Sequence, residues 1–435
     1  MKLGYLMTVF PHQGHLWFWR EVCWLRRWDV PLKLFSTRHP SMRDRAKHAW
    51  ADQAEDETTY LWPIGPLRLL AVCIASFVRA PIGFLKCLWL GITIGVDWSQ
   101  RPRPRHTWPL IFPACHLASL VRRHGITHLH THTAARGAIL CMMVQRLTGT
   151  RWSMVVNAHI EWWGGAMEQK FREAAHTFFV TQWMIEQMGR DFPSIGREKY
   201  SLGRVGVDTR RWRPDAAHRV ENPVPQILSV GRLVTSKGHD VCVRAMRLLK
   251  DRGVEAKLKI GGDGPEREAL ETLIAELGVG DRVEMLGNLS EDTYLQEMKR
   301  ADVFVLASHG EPMGVVYMEA QAMEVPAVGS NLLGAKELIE DGKTGLLVSP
   351  NNPQELAEAF VKLIRDPELR RQMGKAGRRH VVANFDSRIW AARLYEYLYH
   401  SSPPACDEPH PSIDASETGG AAAVSPAGPA VGTIS

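Results

Sequence analysis

The chain has no C-x-x-C pair, and its seven cysteines (23, 73, 87, 115, 141, 242 and 406) are odd in number. That argues against a zinc or disulfide framework and fits a reduced compartment. No apolar run reaches the roughly 20 residues a helix needs to span a bilayer. The opening MKLGYLMTVFPH has a short apolar run with no small-residue cleavage site after it. It reads as a first buried strand rather than a signal peptide, so a cytoplasmic protein is expected. No G-x-G-x-x-G fingerprint opens either half, which disfavours a nicotinamide oxidoreductase. No internal repeat is present beyond two similar α/β halves.

What is there is ordinary in bulk: 435 residues, 45% hydrophobic and 23% charged. That length allows two domains with substantial cores. The charge is uneven. Residues 1–200 hold 25 Lys+Arg against 14 Asp+Glu and residues 201–435 hold 28 against 33, so +11 and −5 make up the overall +6. A basic first half faces something anionic. With no recognised nucleic-acid motif, a membrane surface is the expected partner and nucleic acid is not.

Taken in order, a strand (3–10), the loop PHQGH and a helix (16–28) open the chain. Gly14 in that loop is a candidate for close backbone approach to a phosphate, with a plain turn as the alternative. Two apolar runs, Leu69–Val78 and Cys87–Val96, follow, carrying Trp89, with Trp98 and Trp108 flanking RPRPRH at 101–106. Basic residues beside apolar, Trp-bearing segments suit interfacial helices on an anionic membrane. A buried helical insertion over about 60–112 is the alternative. His128, His130 and His132 alternate along a strand and so share a face. They could bind a metal, but no cysteine or carboxylate ligand is evident nearby, and no metal is expected. His159 follows the strand Trp152–Asn157, near where a ligand crevice would lie.

A Pro- and charge-rich stretch over 206–225 reads as a linker. From Gln226 strand and helix alternate, which implies a parallel, doubly wound sheet. Arg232 and Lys237 share one loop at a strand's carboxyl end, where two cations would balance a diphosphate. In LASHGEPMGVVYMEAQAME (306–324), Glu311 falls on the loop after a strand and Glu319 two turns into the next helix. The first N–H groups of that helix, near Gly314 and Val315, favour a phosphate. Two carboxylates beside such a helix end suit the hydroxyls of a sugar nucleotide. Two surface glutamates on a plain loop and helix are the alternative. Residues 401–435, rich in Pro, Ala, Gly and Ser, read as a disordered tail.

Several stretches together resemble the retaining glycosyltransferases of family 4. They are GRLVTSKG (231–238), GGDGPERE (261–268), RVEMLGNLSEDTYLQEMKRADVFVLAS (282–308), the Glu311/Glu319 pair in EPMGVVYMEA, and GAKELIEDGKTGLLV (334–348). GVDTRRWRP (206–214) resembles the family's linker motif, and 386–399 its terminal helix. In the first half, HLHTH and NAH resemble exopolysaccharide and colanic-acid-type members, though PHQGH replaces the usual Gly-Gly loop.

The resemblance implies a GT-B fold: two Rossmann-like doubly wound domains facing a cleft, with a C-terminal helix crossing back. The implied division is 1–205 (acceptor side, with the insertion at about 60–112), linker 206–225, 226–385 (nucleotide-sugar side), crossover helix 386–400 and tail. It further implies a UDP- or GDP-sugar donor, no cofactor, and a lipid-linked or glycan acceptor in exopolysaccharide or lipopolysaccharide synthesis on the inner face of the plasma membrane. By the same resemblance, Arg232 and Lys237 take the diphosphate, Gly314 and Val315 assist, and Glu319 takes the ribose. Glu311 takes the donor sugar, and His159 lies near donor and acceptor. Gly14 is the family's loop contact. No Asp-x-Asp motif appears, so metal independence is implied. Neither glutamate is expected to be a nucleophile; the departing phosphate serves as base. A soluble acceptor, a sugar-nucleotide epimerase and a non-catalytic membrane scaffold are the alternatives.

Overall fold

A computed structural model describes residues 1–12, 15–41, 45–46, 50–93, 95–98, 101–214 and 222–405, with backbone only over 95–98 and 101–106. Gly14 and most of the expected tail lie outside the described residues.

Two parallel sheets carry the chain. The first is built from β1 (Leu3–Val9), β2 (Leu32–Arg38), β3 (Thr58–Tyr60), β6 (His128–Thr131), β7 (Arg151–Val156), β8 (His176–Phe179) and β9 (Tyr200–Leu202). Between β3 and β6 the chain forms a separate antiparallel pair, β4 (Gly95–Trp98) and β5 (Arg101–His106). The second sheet holds β10 (Gln226–Val230), β11 (Lys257–Gly261), β12 (Val283–Gly287), β13 (Val303–Leu306), β14 (Ala327–Ser330) and β15 (Gly345–Val348). Their orders are β3-β2-β1-β6-β7-β8-β9 and β12-β11-β10-β13-β14-β15. Strands such as VFVL in β13 are buried at every residue, as expected for a sheet covered by helices on both faces.

Both orders reverse direction once. In the first sheet β1 has β2 on one side and β6 on the other; in the second, β10 has β11 and β13. Loops leaving the carboxyl ends of strands at such a reversal diverge and leave a crevice between them. The loops after β10 (231–238) and β13 (307–314) are those loops in the second sheet. They carry the expected cations and Glu311.

The last helix, Ser387–Tyr399, returns to the first sheet's domain. Its first turn is capped by Asp386, whose carboxylate accepts from the Arg388 N–H at 2.9 Å and also from Thr209. Trp390 donates its indole N–H to Glu21 in the helix Leu16–Arg27, and Trp24 donates to Ser387 at 3.1 Å.

The insertion is a bent helix pair, Pro66–Arg79 and Pro81–Thr93, meeting at 116°. Pro66 stands in the first turn of its helix, where no backbone donor is lost. One side of the pair is seated. A Cβ on Gly83 would lie 2.2 Å from the Arg146 carbonyl oxygen, and one on Gly91 2.5 Å from Trp108 Cα. The other side is open: Leu67 is 83% exposed, Ile82 and Trp89 each 69%, and Leu70, Ile74, Val78 and Leu85 are exposed beside them. The insertion is therefore buried on one side, at Ser76, Cys87 and Leu90, and exposed on the other. The second apolar run, expected to reach Val96, ends as a helix at Thr93.

Candidate active site

Three loops of the second sheet interlock at its reversal, and glycine makes this possible. Gly238 has φ +65°, and a Cβ there would lie 1.9 Å from the Ala307 carbonyl oxygen. Gly262, at φ +141°, passes equally close to the Gly231 carbonyl. Backbone bonds tie the stack: Leu233 N–H to Asp263 O at 3.0 Å, and His309 N–H to Ser236 O at 2.9 Å. Thus GGDGP packs against the 231–238 loop. His239 is buried beneath this loop, with Nδ1 3.1 Å from Ser229 Oγ. Burial pushes its pKa down to about 4, so it is neutral.

Lys237 reaches across from this loop and pairs with Glu311. Arg232, on the same loop, is exposed. Glu311 precedes Gly314, which has φ +89° and caps the helix Val315–Ala322. A Cβ on Gly314 would come within 2.5 Å of the Tyr317 ring and 3.1 Å of Glu311 Cγ. Only glycine fits there. The helix therefore starts beside the Glu311 side chain, and its first N–H groups have no intrahelical acceptor. The Tyr317 hydroxyl donates to the Leu306 carbonyl at 2.5 Å, which ties the helix to the end of β13.

Glu319 lies two turns on. It is 7% exposed and faces Arg20, whose Nη1 is 3.7 Å from Glu319 Oε1. Burial raises the Glu319 carboxyl to about 7, with Arg20 acting against the rise and Glu291 adding to it. Arg20 also pairs with Glu291 at 3.0 Å, and Arg211 reaches Glu291 at 3.2 Å and Asp292 at 2.7 Å. Arg20 was not among the residues expected from sequence. It sits mid-helix between Trp19 and Glu21, with no local signal of a site.

His159 follows β7 and packs against Trp162 (ring centroids 4.7 Å apart) and Trp183 (5.0 Å). The Trp183 indole N–H donates to the Pro312 carbonyl at 3.2 Å. His159 is therefore one ring away from the Glu311–Pro312 loop. Glu337, after β14, accepts from the backbone N–H groups of Gln182 and Trp183, both at 2.9 Å. This carboxylate caps the helix Gln182–Asp191 from the other sheet's side. The structure thus joins Lys237, Glu311 and Gly314 in one contact set, sets His159 next to it, and separates Glu319 to an Arg20 pair. Gly14 is outside the described residues.

The three alternating histidines have a carboxylate neighbour, contrary to expectation. Glu21 lies with His130 and His132 in a group compact enough for an ion. The sequence hid this because Glu21 belongs to a distant helix. Its carboxylate accepts from Tyr5 and Trp390 and pairs with His132 at 3.0 Å. His128 turns instead to Ser153 at 2.7 Å, as does His130. Of these contacts, that of Trp390 holds the crossover helix, and those of Tyr5 and His132 hold the carboxylate to the first sheet.

Residues 210–380 match the family model described as glycosyl transferases group 1. The chain is 30% identical over 319 residues to the GDP-mannose-dependent alpha-(1-6)-phosphatidylinositol monomannoside mannosyltransferase of Mycolicibacterium smegmatis, covering 68% of this chain and 83% of that protein. It is 35% identical over 211 residues to the putative colanic acid biosynthesis glycosyltransferase WcaL of Escherichia coli, covering 46% and 51%. In fold it is similar to sucrose-phosphate synthase from Thermosynechococcus elongatus, with TM-score 0.70, 20% identity, and 92% and 100% of the two chains covered.

Proposed function

We propose a function from one premise: the chain belongs to the group 1 glycosyl transferases. It is a glycosyltransferase using a nucleotide-sugar donor. Our reading is that it moves a sugar from a UDP- or GDP-sugar to a lipid-linked glycan, with retention, on the cytoplasmic face of a membrane. The observation that carries this is the Lys237–Glu311 pair at the start of the helix Val315–Ala322.

In the mechanism, the diphosphate draws Lys237 and Arg232 onto its oxygens, which frees the Glu311 carboxylate for hydroxyls of the donor sugar. The bond from the anomeric carbon to the phosphate oxygen breaks, and its electron pair stays on that oxygen. The two cations and the N–H groups at Gly314 and Val315 stabilise the charge as it develops. The acceptor hydroxyl bonds to the same face of the anomeric carbon and gives its proton to the departing phosphate. His159 lines the acceptor side. Glu319 accepts from the ribose. No step requires a metal.

The acceptor class is supported by the exposed apolar side of the helix pair, which is flanked by exposed Arg68, Arg79 and Lys86. Such a wedge suits the interface of an anionic leaflet. The relative that acts on a phosphatidylinositol mannoside makes GDP-mannose the first donor to try. The test is transfer by Glu311→Ala and Lys237→Ala variants, with product configuration read by NMR and metal independence by insensitivity to chelator. Each variant should fold and lose about 10²-fold or more in kcat. Full activity in either would overturn the assignment.

A further inference from the structure

We infer that Arg20 is the positioning residue for Glu319, so that the ribose site is completed by a side chain from the opposite domain. This rests on the reading that Glu319 accepts the ribose hydroxyls. Arg20 belongs to the helix Leu16–Arg27 of the first domain and is 1% exposed, while Glu291 and Glu319 both belong to the second domain. Its guanidinium spends the shorter contact, 3.0 Å, on Glu291 and stands 3.7 Å from Glu319.

That asymmetry decides between two roles. A short, two-pronged bond would use up the Glu319 oxygens and block a ribose. A cation at 3.7 Å supports the negative charge while leaving the oxygen lone pairs to accept from hydroxyls. Glu291 has a second cation in Arg211, but no other cation pairs with Glu319 among the described residues. A carboxylate this deeply buried needs one to stay ionised. The Tyr294 hydroxyl faces the same carboxylate and cannot supply a positive charge. The cation and the carboxylate of this site thus come from different domains.

The experiment compares calorimetric binding of GDP and UDP with that of their 2′-deoxy forms, in wild type, Arg20→Met, Arg20→Lys and Glu319→Gln. Wild type should prefer the ribonucleotide by about tenfold, the worth of one charge-assisted hydrogen bond. Arg20→Met should lose that preference as fully as Glu319→Gln, and Arg20→Lys should recover part of it. A purely structural role for Arg20 would weaken both sugars alike. If Arg20→Met does not fold, Arg20→Gln carries the same comparison, since it removes the charge and keeps a donor. A preference retained in the Met or Gln variant but lost in Glu319→Gln overturns the inference and spares the ribose assignment. A preference retained in Glu319→Gln overturns the ribose assignment itself and the inference with it. Tighter nucleotide binding in Arg20→Met would make Arg20 a block and also overturns the inference.

Discussion

Replacing Ile82 and Trp89 together with serine should release the protein from membranes while leaving its chemistry intact. Each side chain is 69% exposed on the outer side of the bent helix pair. Full burial of a large apolar side chain stabilises by about 1.5–3 kcal/mol, so inserting the exposed part of each contributes about 1–2 kcal/mol. The pair together supplies about 3 kcal/mol, and its loss lowers vesicle partitioning about 100-fold. Neither residue touches the loops that hold Lys237 and Glu311, so hydrolysis of the donor in solution should be unchanged. The exposed cations Arg68, Arg79 and Lys86 add about 1 kcal/mol each near an anionic leaflet. That part is screened by salt; the apolar part is not. Flotation with neutral and anionic vesicles, at low and high salt, separates the two contributions. If the double variant floats like wild type under every condition, the helix pair does not insert.

The carboxyl of Glu319 gives a pH signature. Nucleotide affinity should fall as pH drops through about 7, because protonation removes an acceptor, and Glu319→Gln should flatten that profile. In nucleotide-free protein the sign for stability is opposite. The folded pKa lies above the unfolded value, so the stabilising contribution is complete below the unfolded pKa and is lost as pH rises through about 7. Glu319→Gln should therefore gain thermal stability relative to wild type as pH rises over that window. Gly238→Ala should cost about 2–4 kcal/mol in urea unfolding, since it combines a positive φ with a Cβ 1.9 Å from a carbonyl oxygen. Gly310→Ala, where a Cβ meets open space, should stay within about 0.5 kcal/mol.

The second sheet was readable because parallel strands covered on both faces appear as unbroken apolar runs, and VFVL is one. Short strands carried too little pattern: TTY in β3 and YSL in β9 are three residues each, half polar. RPRPRH reads as a charge run, yet its backbone pairs antiparallel as β5. At the site, Glu311 and Lys237 could each be assigned to a loop at a strand's carboxyl end from sequence alone. That they pair with each other needs the fold, because 74 residues separate them. Arg20 was out of reach for the same reason on a larger scale, lying 271 residues from Glu291. Glu21 beside His130 and His132 was hidden likewise. Sequence proximity conveys what one element does; it conveys little about which elements meet.

The helix Gln182–Asp191 starts on a carboxylate owned by the other half of the molecule. Any swing that opens the cleft strips Glu337 from two amides at once and takes Trp183 off the Pro312 carbonyl. Loss of such a cap costs about 1 kcal/mol, small enough for a ligand to reverse. An opening of the cleft should therefore raise deuterium uptake at the Gln182 and Trp183 amides. The native protein carries its own gauge of opening.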